Sequence, residues 1–366
     1  MKSKIELDPF GESTIEDYDR LFDLFGIQPI KHILSRIPEP HKYFKINFAF
    51  GHRDLETILN AIEKKNPFAV MSGIKPSNVL HIGNKKIMDM IIYFQKLGAS
   101  VFYSIADLEA YLDNGISFEE SEKIAIDNIA DFLALGLETK RAYIYRQSLE
   151  GNVKNLAYIF SRKITLNMIK AILGEKNLGL YFASLTQAGD ILLPQLEAFE
   201  GPKPTIVPVG ADQDPHLRLT RDIVAMFSDS FNFVKPSGLL LKLTSSLTGQ
   251  KMSKRDPDSC LFLNETEKSV KRKISNAFTG GQPTTALQKK LGGNPEKCTI
   301  YEMFMYLPSV TYEDLLKLYQ DCKSGCILCG EDKKRCIELL NNFLSKHREK
   351  KKEQLEKAEQ LVKSIE

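Results

Sequence analysis

The sequence has no uninterrupted apolar stretch long enough to cross a bilayer, which excludes a bundle of membrane helices. Its first residues, MKSKIELDPFGES, contain no apolar signal segment, so export is not expected and a cytoplasmic location is the default. Charge of one sign is nearly absent: 50 Lys and Arg against 47 Asp and Glu leave a net of +3. That balance neither demands nor excludes nucleic acid, because a local basic face is sufficient. Cysteine is scarce, six in 366 residues, which in a cytoplasmic chain excludes a disulfide framework. There is no internal repeat and no low-complexity tract, so repeat arrays are excluded.

What is present suits a globular protein of two or three domains, with 43% hydrophobic and 27% charged residues. Pro67-Phe68-Ala69-Val70-Met71 reads as a buried strand and ends in the turn-rich Ser72-Gly73-Ile74-Lys75-Pro76-Ser77-Asn78. A helical pattern follows from about Gly83 to Leu97, then a second apolar strand, Ala99 to Ile105. Strand, loop, helix and strand in that order form the βαβ unit of a parallel sheet. Ser117-Phe118-Glu119-Glu120 has capping-box spacing and opens a helix to about Gly136. Further strands are expected at Ala142 to Tyr145 and Thr205 to Val209, and apolar runs at Leu239 to Leu243 and Cys260 to Leu263 flank a polar loop. Beyond residue 264 only helical patterns remain. The expected fold is α/β, a Rossmann-like catalytic domain with a parallel sheet, plus a mainly helical C-terminal domain. The divisions are a small N-terminal extension over 1–65, the catalytic domain over 66–263 with a helical insertion around 117–190, and the helical domain over 264–366. Ligands of such folds bind at the carboxyl ends of the strands, here the loops after residues 71, 105 and 209.

Two motifs sit beside those strands. Pro76-x-x-x-x-His81-Ile82-Gly83-Asn84 places a Gly at a helix start, where a phosphate can approach the backbone and meet free N–H groups and the positive end of the dipole. Alone, a His there is more often a cap or packing residue. Lys251-Met252-Ser253-Lys254-Arg255 lies in a polar loop after a strand, where lysines can neutralise charge developing on a pyrophosphate. A basic loop alone is usually just solvated. Together and in this order, the two resemble the HIGH and KMSKS signatures of class I aminoacyl-tRNA synthetases. Val207-Pro208-Val209-Gly210-Ala211-Asp212-Gln213-Asp214-Pro215-His216 followed by Leu219-Thr220-Arg221-Asp222 looks like the corresponding segment of the tryptophanyl group. Phe160 to Lys163, Leu185 to Leu192, Gly292 to Cys298 and Phe50 to Asp54 are similar to its archaeal members, so the likeness covers most of the chain.

The resemblance implies activation of L-tryptophan by ATP with Mg²⁺, and transfer of the aminoacyl group to tRNA(Trp), by a homodimer. It places Pro76, His81, Gly83, Asn84, Gly210, Asp212, Lys251, Met252, Ser253 and Lys254 in the ATP site, with His81, Lys251 and Ser253 serving catalysis. It places Glu109, Gln187, Asp190 and Gln213 around the amino acid, with Asp190 accepting from the indole N–H. The alternative for Asp190 is an exposed helical or capping Asp. Two positions depart from the signatures: Asn84 stands where a His is usual, and Arg255 where a Ser is usual. Tyrosyl enzymes also carry an Asp in this region, but usually a Tyr at the position of Met71. A non-catalytic tRNA-binding paralogue and a small nucleotidyltransferase are the other readings; the intact His81, Gly83 and Lys251 and the long helical C-terminal region speak against them.

Some relatives hold a [4Fe–4S] cluster on a distant Cys and a C-x6-C-x2-C run. By that resemblance Cys298 is the distant ligand, Cys322 and Cys329 give the C-x6-C, and Cys326 or Cys336 stands in for the last, so Cys298, Cys322, Cys326 and Cys329 are the candidate set for a cluster or for Zn²⁺. The pattern is imperfect, since Asp332 occupies the last position, and leftover free thiols are the alternative. Two basic clusters, Lys268 to Lys273 and Lys346 to Lys352, are either RNA contacts or solvated helix faces.

Overall fold

The computed structural model describes residues 7, 15, 17–249 and 258–363. Seven strands form one sheet: β1 (Gln28–Pro29), β2 (Ala49–Arg53), β3 (Ala69–Ile74), β4 (Ser100–Ile105), β5 (Ala142–Arg146), β6 (Thr205–Gly210) and β7 (Ser237–Leu241). Their spatial order is β1-β2-β7-β6-β3-β4-β5. The five strands from β7 to β5 are parallel, while β1 and β2 run antiparallel at one edge. The segment expected as an N-terminal extension thus adds two strands to the sheet. The expected run at Cys260 to Leu263 forms no strand; Phe262 makes a single bridge with His81.

Both faces of the parallel strands are covered, as their apolar composition requires. Val70, Val101, Tyr103, Ile105 and Ile206 enter one core with Phe132 and the helix Ile82–Lys96. Their neighbours Ala69, Met71, Phe102 and Val207 alternate to the other face, with Tyr145 and Ile191. That alternation is what fixes helices on the two sides.

The crevice lies where the chain reverses direction in the sheet. From β3 it steps outward to β4 and β5, then returns to β6 on the other side of β3. β3 pairs with β6 only through Ala69↔Thr205 and Val70↔Ile206, then continues unpaired on that side to Ile74. Pro208 has no N–H with which to continue the ladder. The carboxyl ends of β3 and β6 therefore part and leave a cleft at the switch point.

The helical region after residue 264 closes over this sheet. Its last helix, Cys329–Lys363, packs along Phe118–Leu135. Buried Asp131 accepts from Lys351 Nζ at 3.0 Å and pairs with His347 Nε2 at 2.7 Å; Lys351 also pairs with Asp127 at 2.7 Å. Part of the Lys346 to Lys352 run is thus turned inward, while Lys346, Lys350 and Lys352 are exposed. Lys273 of the other cluster is likewise buried against Glu265, leaving Lys268, Lys271 and Arg272 outside.

Candidate active site

A cleft of about 2200 Å³ opens at the switch point. Of the expected site residues, His81, Gly83, Asn84, Glu109, Gln187, Asp190, Gly210, Asp212 and Gln213 all line it. Pro76 is buried beside it and does not line it. Lys251, Met252, Ser253 and Lys254, with Arg255, lie outside the described residues.

His81 is the N-cap of Ile82–Lys96: its Nδ1 accepts from Gly83 N–H at 3.1 Å, and Asn84 Oδ1 accepts from His81 N–H at 3.1 Å. The two form a capping box. The departure at Asn84 therefore has a local purpose, since Asn accepts the reciprocal bond. Because Nδ1 accepts, the ring proton sits on Nε2, which makes that nitrogen a donor. His81 is thus a capping residue that also lines the cleft. Gly83 is set by contact: a Cβ there would come 2.6 Å from Thr244 Oγ1 and 2.9 Å from His81 Nδ1. Gly210 is similar, with Asp212 Oδ1 only 2.5 Å from where its Cβ would stand. Burial pushes the Asp212 carboxyl upward, and the Lys86 ammonium opposes that shift.

A second group of cleft residues is built around Asp190, 2% exposed on the helix Leu178–Leu192. Its Oδ1 accepts from Tyr145 O–H at 2.8 Å and Ser104 O–H at 3.2 Å, and its Oδ2 from Gln147 N–H at 2.6 Å. Burial pushes its carboxyl up to about 7, against the lowering effect of those three bonds. The exposed alternative for Asp190 is overturned. Glu109 stands 3.4 Å from Lys75 Nζ, which also pairs with Asp113.

Sequence reasoning missed Tyr145, Gln147, Lys75 and Lys86. Tyr145 lies near the carboxyl end of the third parallel strand and Gln147 just follows it, so the rule applied to the loops after 71, 105 and 209 would have found them there. Lys86 hides one turn into an apolar helix and is buried. Burial pushes its ammonium down to about 8. Its Nζ donates to Lys242 O at 2.6 Å and Thr244 Oγ1 at 3.1 Å.

The expected metal centre needs correction. Among the described residues, no three His, Cys, Asp or Glu side chains converge so as to hold a metal. Cys298, Cys322 and Cys329 are near enough to raise the charge cost of a neighbouring thiolate, but Cys326 is exposed. Burial pushes the Cys322 thiol up to about 11 and raises that of Cys298. Sequence spacing set the ligand guess, and spacing does not make side chains converge.

Comparison with known proteins agrees with this geometry. A model of class I tRNA synthetases (W and Y) matches residues 63–345. The tryptophan–tRNA ligase of Methanocaldococcus jannaschii is 40% identical over 364 residues, covering 98% of each chain. That of Aeropyrum pernix is 40% identical over 362 residues, covering 97% of this chain and 96% of its own. The crystal structure of tryptophanyl-tRNA synthetase from the hyperthermophilic archaeon Aeropyrum pernix K1 superposes with a TM-score of 0.88, covering 98% of both chains. With a family match across most of its length, and a switch-point cleft lined by the first signature, this chain belongs to the class I aminoacyl-tRNA synthetases of the tryptophan and tyrosine group.

Proposed function

We propose that the protein is a tryptophan–tRNA ligase. It activates L-tryptophan with Mg·ATP and passes the aminoacyl group to tRNA(Trp). A carboxylate oxygen of tryptophan attacks the α-phosphorus, the bond to the β-phosphate oxygen breaks, and pyrophosphate leaves. A ribose hydroxyl at the tRNA terminus then attacks the carbonyl carbon of the adenylate, and AMP leaves. No protein group is bonded covalently in either step, so catalysis rests on positioning and on charge placed where it develops.

The observation that carries the substrate choice is Asp190. A buried carboxylate in the cleft meets an indole N–H with an acceptor, and a ligand without that donor leaves the acceptor unpaired. Met71 on β3 offers apolar surface beside it. Glu109 takes the ammonium, with Gln187 and Gln213 as polar neighbours of the amino acid. On the ATP side, His81 Nε2–H and the helix start at Gly83 face the phosphates, and Gly210 and Asp212 face the ribose. Lys251, Ser253 and their neighbours Met252 and Lys254 keep the phosphate-holding role of their signature. The cleft spans the expected boundary at 263, with residues 264–366 as the tRNA-reading region. Leu149, Tyr158, Ile159, Leu166, Leu178 and Phe182, exposed on and beside three neighbouring helices, favour a homodimer through that face.

ATP–pyrophosphate exchange with tryptophan, tyrosine and phenylalanine separately tests the activity. Label enters ATP with tryptophan alone if the proposal holds. Exchange with tyrosine instead would overturn the substrate, and exchange with none of the three would overturn the activity.

A further inference from the structure

A relay of hydrogen bonds crosses from the signature helix to the C-terminal helical region. Lys86 Nζ donates to Thr244 Oγ1 at 3.1 Å. Thr244 Oγ1 lies 3.2 Å from the Tyr306 hydroxyl and can donate to it, because Tyr306 gives its own proton to Glu302 Oε1 at 2.6 Å. Glu302 also accepts from Ser245 N–H, with Oε1 at 3.1 Å and Oε2 at 3.2 Å. Every proton thus points one way, from a buried cation to a buried carboxylate. Lys86 is 6%, Tyr306 0% and Glu302 9% exposed.

Three separate parts of the chain meet here: Ile82–Lys96, the segment leaving β7, and the helix Thr299–Tyr306. The point they hold is Thr244, whose hydroxyl occupies the space a Gly83 side chain would need. Thr244, Ser245 and Lys86 line the same cleft as His81, Gly83 and Asp212. Tyr306 and Glu302 reach Thr244 and Ser245 from beyond residue 264, across the boundary between the two regions.

We infer that Tyr306 and Glu302 are positioning residues for the ATP half of the reaction. They fix Thr244 and Ser245 against the helix start at Gly83, so the wall facing the phosphates is set from the C-terminal region. Lys86 supplies the balancing cation, so Glu302 does not repel the phosphates. The bonds that hold Asp190, from Ser104, Tyr145 and Gln147, come from none of these residues, so affinity at the amino-acid end is independent of the relay. This assignment rests on the ATP-dependent activity proposed above.

The test uses the full-length protein with Tyr306→Phe and, cutting the relay from another element, Thr244→Val. Tyr43→Phe is the control, because Tyr43 is fully buried and donates to Asp89 at 2.7 Å in the same core but lies outside the relay. Exchange kinetics give KM for ATP and for tryptophan, and calorimetry gives the affinity for a non-hydrolysable ATP analogue. Each variant loses two bonds of the relay, one of them to a charged group, so KM for ATP rises and the analogue weakens by about tenfold or more in both. KM for tryptophan stays within about twofold, and Tyr43→Phe leaves both constants unchanged. An ATP KM and analogue affinity that stay at the wild-type values would overturn the inference. So would a parallel rise in both KM values matched by Tyr43→Phe, which marks a general packing role. If the wild type exchanges no label, the activity has failed but analogue binding by the variants still decides this point.

Discussion

Asp190→Asn separates recognition from folding. Asparagine can keep the present network: its oxygen accepts from Gln147, and its N–H₂ donates to the Tyr145 and Ser104 oxygens, whose protons rotate away. The variant folds, and it no longer buries a charge above neutral pH. What it loses is a charged acceptor for the indole N–H. A hydrogen bond to a charged group contributes about 1.5–3 kcal/mol, so KM for tryptophan rises by roughly 10- to 150-fold. KM for ATP stays near the wild-type value. Because the protein contains no tryptophan, binding can also be followed by the fluorescence of the ligand itself. A wild-type KM for tryptophan in folded Asn variant would refute the assignment of Asp190 and move indole recognition elsewhere in the cleft. The pH dependence gives an independent check. The folded carboxyl titrates near 7 and the unfolded one near 3.8, so the folded state holds more protons between those values. Stability conferred by this site is greatest below pH 3.8 and falls as pH rises toward about 7. Tryptophan affinity runs the other way, improving as Asp190 ionises through about 7, and Asp190→Asn abolishes that slope.

Gly83→Ala places a methyl 2.6 Å from Thr244 Oγ1, so steady-state exchange should show a raised KM for ATP with KM for tryptophan unchanged. His81→Ala removes a helix cap, costing about 1 kcal/mol in urea unfolding, and lowers kcat for exchange further than that loss of stability explains. Arg53→Ala strips buried Asp214 of a two-point partner, at 2.7 and 2.8 Å. Breaking a buried pair costs about 3–5 kcal/mol, partly offset by Arg218 at 3.2 Å, and urea unfolding measures it.

The parallel strands and their helices were legible in the sequence because each is a local pattern. Apolar runs marked β3, β4, β5 and β6, and Ser117 caps Phe118–Leu135 through Glu120 N–H as its spacing indicates. β1 and β2 were not legible, since two and five residues carry too little periodicity and their partner β7 is far along the chain. In the cleft, His81, Gly83 and Asn84 of the first signature were readable one by one. Lys86 and Glu302 were not, because each is an ordinary charged residue until tertiary packing brings Thr244 or Ser245 to it. The cysteine spacing misled for the same reason: it is a statement about sequence, and convergence is a statement about packing.

The order of strands in the sheet has a consequence for synthesis. β2 is made early, yet the strand it joins at Arg53↔Gly238 and Ala49↔Leu241 is the last of the seven. During translation, Ala49 and Phe50, both buried in the finished protein, wait with one edge unsatisfied until β7 has left the ribosome. A nascent chain halted before Ser237 therefore presents an apolar strand edge to its neighbours, the kind of edge that pairs between molecules. Truncated or slowly translated chains, rather than full-length ones, are the species that should aggregate in the cell.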